Sequence, residues 1–308
     1  MLLLSLSVQP MRATAQQDLN PPTGQRARVL FLGDSNTYAG QYITWLEAQL
    51  RLKRIDPLPE LINLGLPSET CTGLSEPDHP FPRPNVHERL DRALAKVKPQ
   101  VVVVGYGMND GIYHPFDEQR FAAYQKGITE LAGKVRATGA KLVLLTPPAF
   151  DPAPMREAGK LRPADAEQFA WFAIYEDYDQ VMDRYAKWML SQHEQADLVV
   201  DLHTPLKEFL TLQRAKDPAY RMSDDGVHFD RSGHEVLGRA ILAATQMEPV
   251  EQIPERLWEL IQRRQQVLRD AWLSEVEHQR PAMKAGMPLD EALQVAADLE
   301  REINAILP

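Results

Sequence analysis

Four short polar motifs are spread along the 308-residue chain, and each holds a group that acyl chemistry uses. Gly33-Asp34-Ser35-Asn36-Thr37 offers a serine hydroxyl. Asn63-Leu64-Gly65-Leu66-Pro67-Ser68 offers a glycine, whose backbone N–H can approach a ligand closely. Gly105-Tyr106-Gly107-Met108-Asn109-Asp110 offers an amide that can donate to an oxyanion. Asp225-Gly226-Val227-His228 offers an imidazole with a carboxylate three residues before it, the makings of an oriented base. Each motif alone has a plain structural reading too: Asp and Ser cap helices, glycine turns the chain, and asparagine closes Asx turns. Together they supply a nucleophile, a base, an orienting acid and an oxyanion hole, the set that acyl transfer needs.

These groups need a scaffold that brings them to one edge. Arg28–Leu32, Leu61–Leu64, Val101–Val104, Lys141–Leu145 and Asp197–Asp201 read as short buried strands, the four consecutive valines most clearly. Between them lie helical patterns: Tyr42–Leu52, the segment capped by Asn85, Phe121–Val135, a helix-rich stretch from about Asp165 to His193, and Val236–Thr245. Strands alternating with helices predict an α/β fold, a parallel sheet with helices on both faces. Ligands of such sheets lie beyond the carboxyl ends of the strands. Three of the four motifs follow strands directly, and the Asp/His motif lies in a later loop that can reach the same edge.

The chain divides into residues 1–20, read as an export signal or tail, a catalytic domain over 21–248, and a helical extension over 249–308. Leu257, Leu260, Ile261, Leu268 and Trp272 form one amphipathic stripe, and Leu289, Leu293, Ala296, Leu299 and Ile303 form another. A Pro- and Gly-punctuated loop, His278–Pro288, joins them into a helical hairpin packed on the main domain. At the start, the apolar run Leu2–Val8 precedes Ala13-Thr14-Ala15, a small-x-small cleavage pattern, although no basic residue precedes the run. This points to export to the periplasm or the outside.

Composition excludes several function classes. The net charge of −9, with no run of Lys or Arg, argues against nucleic acid as a partner. No apolar stretch reaches the roughly 18–20 residues of an integral membrane span. The single cysteine, Cys71, permits neither an internal disulfide nor a cysteine-based zinc site.

The four blocks, in this order over residues 28 to about 245, resemble the SGNH/GDSL hydrolase family. The resemblance implies a three-layer α/β/α domain with a five-stranded, flavodoxin-like parallel sheet, and catalysis with no metal and no cofactor. It implies Ser35 as nucleophile, His228 as base and Asp225 as its orienting acid. The oxyanion would be met by the N–H groups of Ser35 and Gly65 and the amide of Asn109. Asn36 stands where the family's name-giving motif has leucine, a departure at the pocket mouth.

Other side chains are weighed beside these. Asp34 and Asp110 read as turn-stabilising, Asp224 is one residue off the acid's spacing, and His234 reads as the start of the last helix. Cys71 could line the site but lacks a partner for thiol chemistry. His114, Trp272 and Arg280, with Asn36, are candidate substrate contacts. Trp272 has an alternative reading as the anchor of the hairpin in a core. The expected function is a serine esterase acting on a small ester or an acylated carbohydrate, with deacetylation of a carbohydrate or polysaccharide foremost. The alternatives are a lipase, lysophospholipase or thioesterase of the same family, and a non-catalytic glycan-binding protein on a hydrolase scaffold.

Overall fold

The computed structural model describes residues 26–307. The apolar run and cleavage pattern near the amino terminus lie outside the described residues. Strand β1 (Arg28–Gly33) leads through the short helix α1 (Ser35–Ala39) into α2 (Gln41–Leu52) and β2 (Glu60–Asn63). A single 3-10 turn (Val86–Glu88), capped by the Asn85 side chain, precedes α3 (Leu90–Val97) and β3 (Val101–Gly105). Then come α4 (Glu118–Ala137), β4 (Lys141–Leu145), α5 (Pro152–Glu157), a small pair β5 (Leu161–Arg162) and β6 (Ile174–Tyr175), and α6 (Tyr178–Leu190). The remaining elements are β7 (Leu198–Val200), α7 (His203–Lys216), α8 (Arg231–Ala244), α9 (Glu255–Glu275) and α10 (Leu289–Ile306).

Five strands form one parallel sheet in the order β2-β1-β3-β4-β7. Alternation along each strand sends Leu30, Leu32, Val102, Val104, Leu142 and Leu144 into one core. It sends Phe31, Val101, Val103, Val143 and Leu145 into another. The four valines of β3 thus divide between the two faces of the sheet, as their β-branched run predicts. The order reverses between β1 and β3, so the crevice of this sheet opens beyond the carboxyl ends of those two strands. Gly33 and Gly105 pair across them, which starts the serine loop and the asparagine loop at one level.

Helices α9 and α10 pack on each other and on α2, and α9 also covers β2. Gln265 Nε2 donates to the Leu61 carbonyl at 3.3 Å, occupying part of an edge strand that would otherwise stand open. Among the described residues, no helix is long and apolar enough to cross a membrane.

Three expectations need correction. The stretch from 165 becomes helical only at Tyr178, because its N–H groups find non-helical acceptors: Ile174 donates to Lys160 O, Glu176 to Arg162 O and Tyr175 to Tyr113 O. The last helix of the main domain starts at Arg231, where Asp230 accepts from the N–H groups of Ser232 and Gly233. Helices α5 and α7 were not expected; α7 buries only His203 and Leu206, too sparse a stripe to show as a period.

Candidate active site

Ser35 is the first residue of α1, two positions past the end of β1. Asp34 caps that helix, its Oδ1 accepting from the Asn36 N–H at 3.0 Å, which holds the turn that presents Ser35. His228 arrives from the loop before α8, and its Nε2 lies 2.8 Å from Ser35 Oγ. Its Nδ1 lies 2.6 Å from Asp225 Oδ2. The other carboxylate oxygen, Oδ1, accepts from the N–H groups of Val227 at 2.9 Å and His228 at 2.8 Å. One carboxylate therefore folds its own loop and orients the imidazole. Gly226 permits this: it sits at φ 76°, and a Cβ there would stand 2.0 Å from the Asp151 carbonyl.

The charge of each group follows from its neighbours. The hydrogen bond that His228 donates to Asp225 raises the imidazole pKa above its ordinary 6.5, against the opposing pull of desolvation. Partial burial pushes Asp225 up, but the hydrogen bond and charge of His228, with the two N–H donors, outweigh it and hold the carboxyl well below its usual range. The imidazole side chain remains 57% exposed, open to substrate. Asp34 and Asp110, both buried, are pushed up to about 6 by desolvation, partly offset by their N–H donors. Neither faces Ser35 as an acid or base. Asp110 Oδ1 instead accepts from the N–H groups of Cys71 at 2.9 Å and Thr72 at 3.0 Å, tying the β3 loop to the β2 loop.

Asn109 stands in the β3 loop, buried. Its Nδ2 donates to the Glu69 carbonyl at 3.1 Å, and its Oδ1 accepts from the Tyr113 hydroxyl at 2.9 Å. Glu69 belongs to the β2 loop, whose Leu66 N–H donates to Gly33 O at 2.9 Å, two residues before Ser35, so the Asn109 loop is tied through the β2 loop to the serine turn.

Gly65 is a correction. Its N–H donates to Asn63 Oδ1 at 2.8 Å, and a Cβ on it would lie 2.2 Å from the Tyr38 nitrogen. The glycine serves close packing beneath α1 and has no N–H to spare for an oxyanion. Along the same loop, the N–H groups of Leu64, Leu66, Glu69 and Thr70 all have backbone acceptors, and Pro67 has none to give. Among the described residues, the loop's unengaged N–H belongs to Ser68, held at φ 68° one residue from the carbonyl that Asn109 contacts. Sequence reasoning passed over Ser68 because a non-glycine residue in the left-handed region carries no residue-type signal.

The tentative substrate contacts also sort out differently. Asn36 is buried; its Nδ2 donates to Val227 O at 2.9 Å and its Oδ1 accepts from Phe229 N–H at 3.4 Å. It braces the histidine loop and does not line the pocket mouth. Trp272 is 7% exposed within the main core, so the anchoring reading holds and the substrate contact is withdrawn. Arg280 reaches the rim: its Nε donates to Pro67 O at 2.9 Å and its guanidinium lies 4.9 Å from the centre of the Phe81 ring. His114 packs on Phe169, ring centres 4.9 Å apart. Cys71 is buried and lines the core. His234 is fully buried and stacked on Tyr42.

Trp171 is a large aromatic, 50% exposed. Its backbone N–H donates to Glu76 Oε1 at 3.3 Å. Glu76 holds Arg83 through paired bonds of 2.6 and 2.7 Å, and Arg83 donates to Ser68 O at 3.3 Å. The Trp171 backbone is thus linked to the β2 loop by three contacts.

The sequence and the fold match known proteins. A model of the GDSL-like lipase/acylhydrolase family matches residues 31–236, two thirds of the chain. No curated protein matches the sequence. Among solved structures, a gut microbial diltiazem-metabolizing enzyme aligns with TM-score 0.56 at 18% identity, over 74% of this chain and 48% of that one. This chain therefore spans about half of that enzyme's length. Axe2, an acetylxylan esterase from Geobacillus stearothermophilus, solved as a catalytic mutant, aligns with TM-score 0.51 at 19% identity over 74% of this chain and 98% of its own. The acetyl xylan esterase AlAXEase aligns with TM-score 0.50 at 21% identity, over 70% and 98% of the two chains. At these identities the likenesses speak for the fold, and the match across residues 31–236 carries the assignment: the chain belongs to the GDSL-like lipase/acylhydrolase family.

Proposed function

We propose that the protein is a serine esterase that works through an acyl-enzyme on Ser35 and removes acetyl groups from a carbohydrate. The observation that carries the reaction is the unbroken relay Ser35 Oγ–His228 Nε2–Asp225, at 2.8 and 2.6 Å. A serine hydroxyl is a weak nucleophile near neutral pH, so His228 takes its proton as Oγ attacks the ester carbonyl. Asp225 keeps the imidazole in the tautomer that accepts at Nε2 and stabilises the cation that forms. Negative charge developing on the carbonyl oxygen is met by the N–H groups of Ser35 and Ser68 and by the Asn109 N–H not given to Glu69. One such donor is typically worth about 2.7–4 kcal/mol in the transition state. The tetrahedral species collapses as the C–O bond to the alcohol breaks, and His228 returns the proton to that oxygen. Water, deprotonated by the same imidazole, then attacks the acyl carbon and frees the acid and Ser35.

The carbohydrate assignment draws on different support. Two structural neighbours are acetylxylan esterases, and the half-exposed Trp171 ring offers a flat apolar surface on a segment whose backbone is linked through Glu76 and Arg83 to the β2 loop. Export, expected from the amino-terminal pattern, fits a polysaccharide substrate. The test is acetate release from a panel of acetylated polysaccharides, with the Ser35→Ala protein as blank. The expected result is release by the parent and a loss of about 10⁴-fold or more in the variant. Faster cleavage of p-nitrophenyl palmitate than of p-nitrophenyl acetate would replace the carbohydrate reading with a lipase one.

A further inference from the structure

The loop that carries Asn109 is held in an unfavourable backbone conformation. Ile112 and Tyr113 lie side by side in the left-handed region, at φ 45° and 62°. Neither is glycine, and a β-branched residue there is a genuine outlier. Such backbone persists only where its surroundings over-determine it, and it concentrates at functional sites.

The effect of this turn is to fold the Tyr113 ring back onto the start of its own loop. The ring is 3% exposed and packs against Tyr178, centroids 5.2 Å apart. The Arg83 guanidinium lies 5.4 Å from its centre. Tyr178 donates its own hydroxyl to Met108 O at 2.7 Å, the carbonyl of the peptide leading into Asn109. Gly111 makes room for this second phenol: a Cβ at that position would stand 2.5 Å from the Tyr178 hydroxyl oxygen.

An asparagine side chain has one acceptor oxygen and two N–H donors. In Asn109 the oxygen takes the Tyr113 hydroxyl at 2.9 Å, and one N–H goes to the Glu69 carbonyl at 3.1 Å. One N–H is left over. Reversing the amide would set its oxygen against the Glu69 carbonyl oxygen, two acceptors face to face. Burial raises the Tyr113 phenol above its ordinary range, the main cause being desolvation, so this hydroxyl stays protonated and remains a donor.

We propose that Tyr113 is a positioning residue, whose hydroxyl fixes the Asn109 amide in the one orientation that points a free N–H at the oxyanion. This rests on the esterase reading above. Tyr113→Phe keeps the ring and its packing and removes only the hydroxyl.

The test is a double-mutant cycle with p-nitrophenyl acetate: parent, Tyr113→Phe, Asn109→Ala and the double variant, each with its melting temperature. The expected result is a kcat about 10- to 100-fold lower in Tyr113→Phe, a KM within about threefold of the parent, and no further loss from Tyr113→Phe once Asn109 is gone. A merely structural hydroxyl would move the melting temperature and leave that coupling at zero. Substituting 3-fluorotyrosine at position 113, which keeps both ring and hydroxyl, is expected to retain the parent kcat. An active parent whose Tyr113→Phe variant keeps kcat within twofold would overturn the proposal. So would equal losses from Tyr113→Phe with and without Asn109, or a 3-fluorotyrosine protein as slow as the Phe one. A parent that cleaves no ester would instead overturn the esterase reading itself.

Discussion

Two regions of the molecule gather opposite charges, and they do so on opposite terms. At the carboxyl edge of the sheet, Asp225 and His228 pair with side chains 43% and 57% exposed. Behind α2, Glu47 pairs with Arg51, both 2% exposed, and with Arg264 of α9. Glu300 of α10 closes the group against Arg51 and Arg264. The first pair faces solvent and the Ser35 hydroxyl. The second is sealed by three helices, with Gln265 also donating to Glu47, and holds the tail to the domain. A carboxylate beside a basic side chain is, on the esterase reading, a tool in one place and a fastening in the other, and access is what separates them.

That contrast is open to attack by substitution. The largest expected effect is at the first pair. Asp225→Asn should lower kcat/KM by about 10³–10⁴-fold, since the imidazole loses the partner that sets its tautomer. The pH profile gives a second reading. Activity needs neutral His228, so in the parent it falls as pH drops through a pKa raised above 6.5 by Asp225. Without that carboxylate the acid limb should move to lower pH; an unmoved limb would mean another group limits the rate. Melting should change little, as a pair this exposed contributes little to stability.

Glu47→Ala should do the reverse. Removing Glu47 leaves Arg51 and Arg264 with Glu300 as their remaining carboxylate partner and takes the acceptor from buried Gln265, which costs about 3 kcal/mol of stability, while kcat of the folded protein stays near the parent's. Denaturant unfolding alongside kinetics would check it, and a large drop in kcat would show the two regions to be coupled. The smallest effect is expected where the tail touches the rim. Arg280→Ala, which loses the bond to Pro67 O and the contact with Phe81, should shift KM for a polymeric substrate by about threefold or less, as befits a half-buried side chain at the edge of the loop. A tenfold or greater change in KM would make the tail part of the substrate site.

The same contrast explains what could be read from the residues alone. The strands and their motifs are local signals: four valines in β3, and a serine, an asparagine and an Asp/His pair just beyond apolar runs. Ser35, Asn109, Asp225 and His228 stand out because their chemistry is written in their types, and the structure joins the serine, imidazole and carboxylate in one hydrogen-bonded row. The Ser68 N–H does not stand out, because backbone geometry leaves no mark on residue identity, and Gly65 drew attention for a freedom that serves packing. Trp272 and Asn36 were ambiguous for a related reason: an aromatic or an amide reads alike whether it faces ligand or core. The Glu47–Arg51 pair has the i,i+4 spacing of a surface ion pair. What buries it is a helix some two hundred residues away, a contact no local period announces.

The acyl-enzyme can be sought directly. Intact-mass and peptide mass spectrometry after treatment with an organophosphate ester, which traps an activated serine as a stable adduct, should find one phosphoryl group per chain on the peptide containing Ser35. His228→Ala should suppress it, because the hydroxyl then lacks its base. An adduct on a different residue, or none on an actively hydrolysing parent, would contradict the nucleophile assigned to position 35.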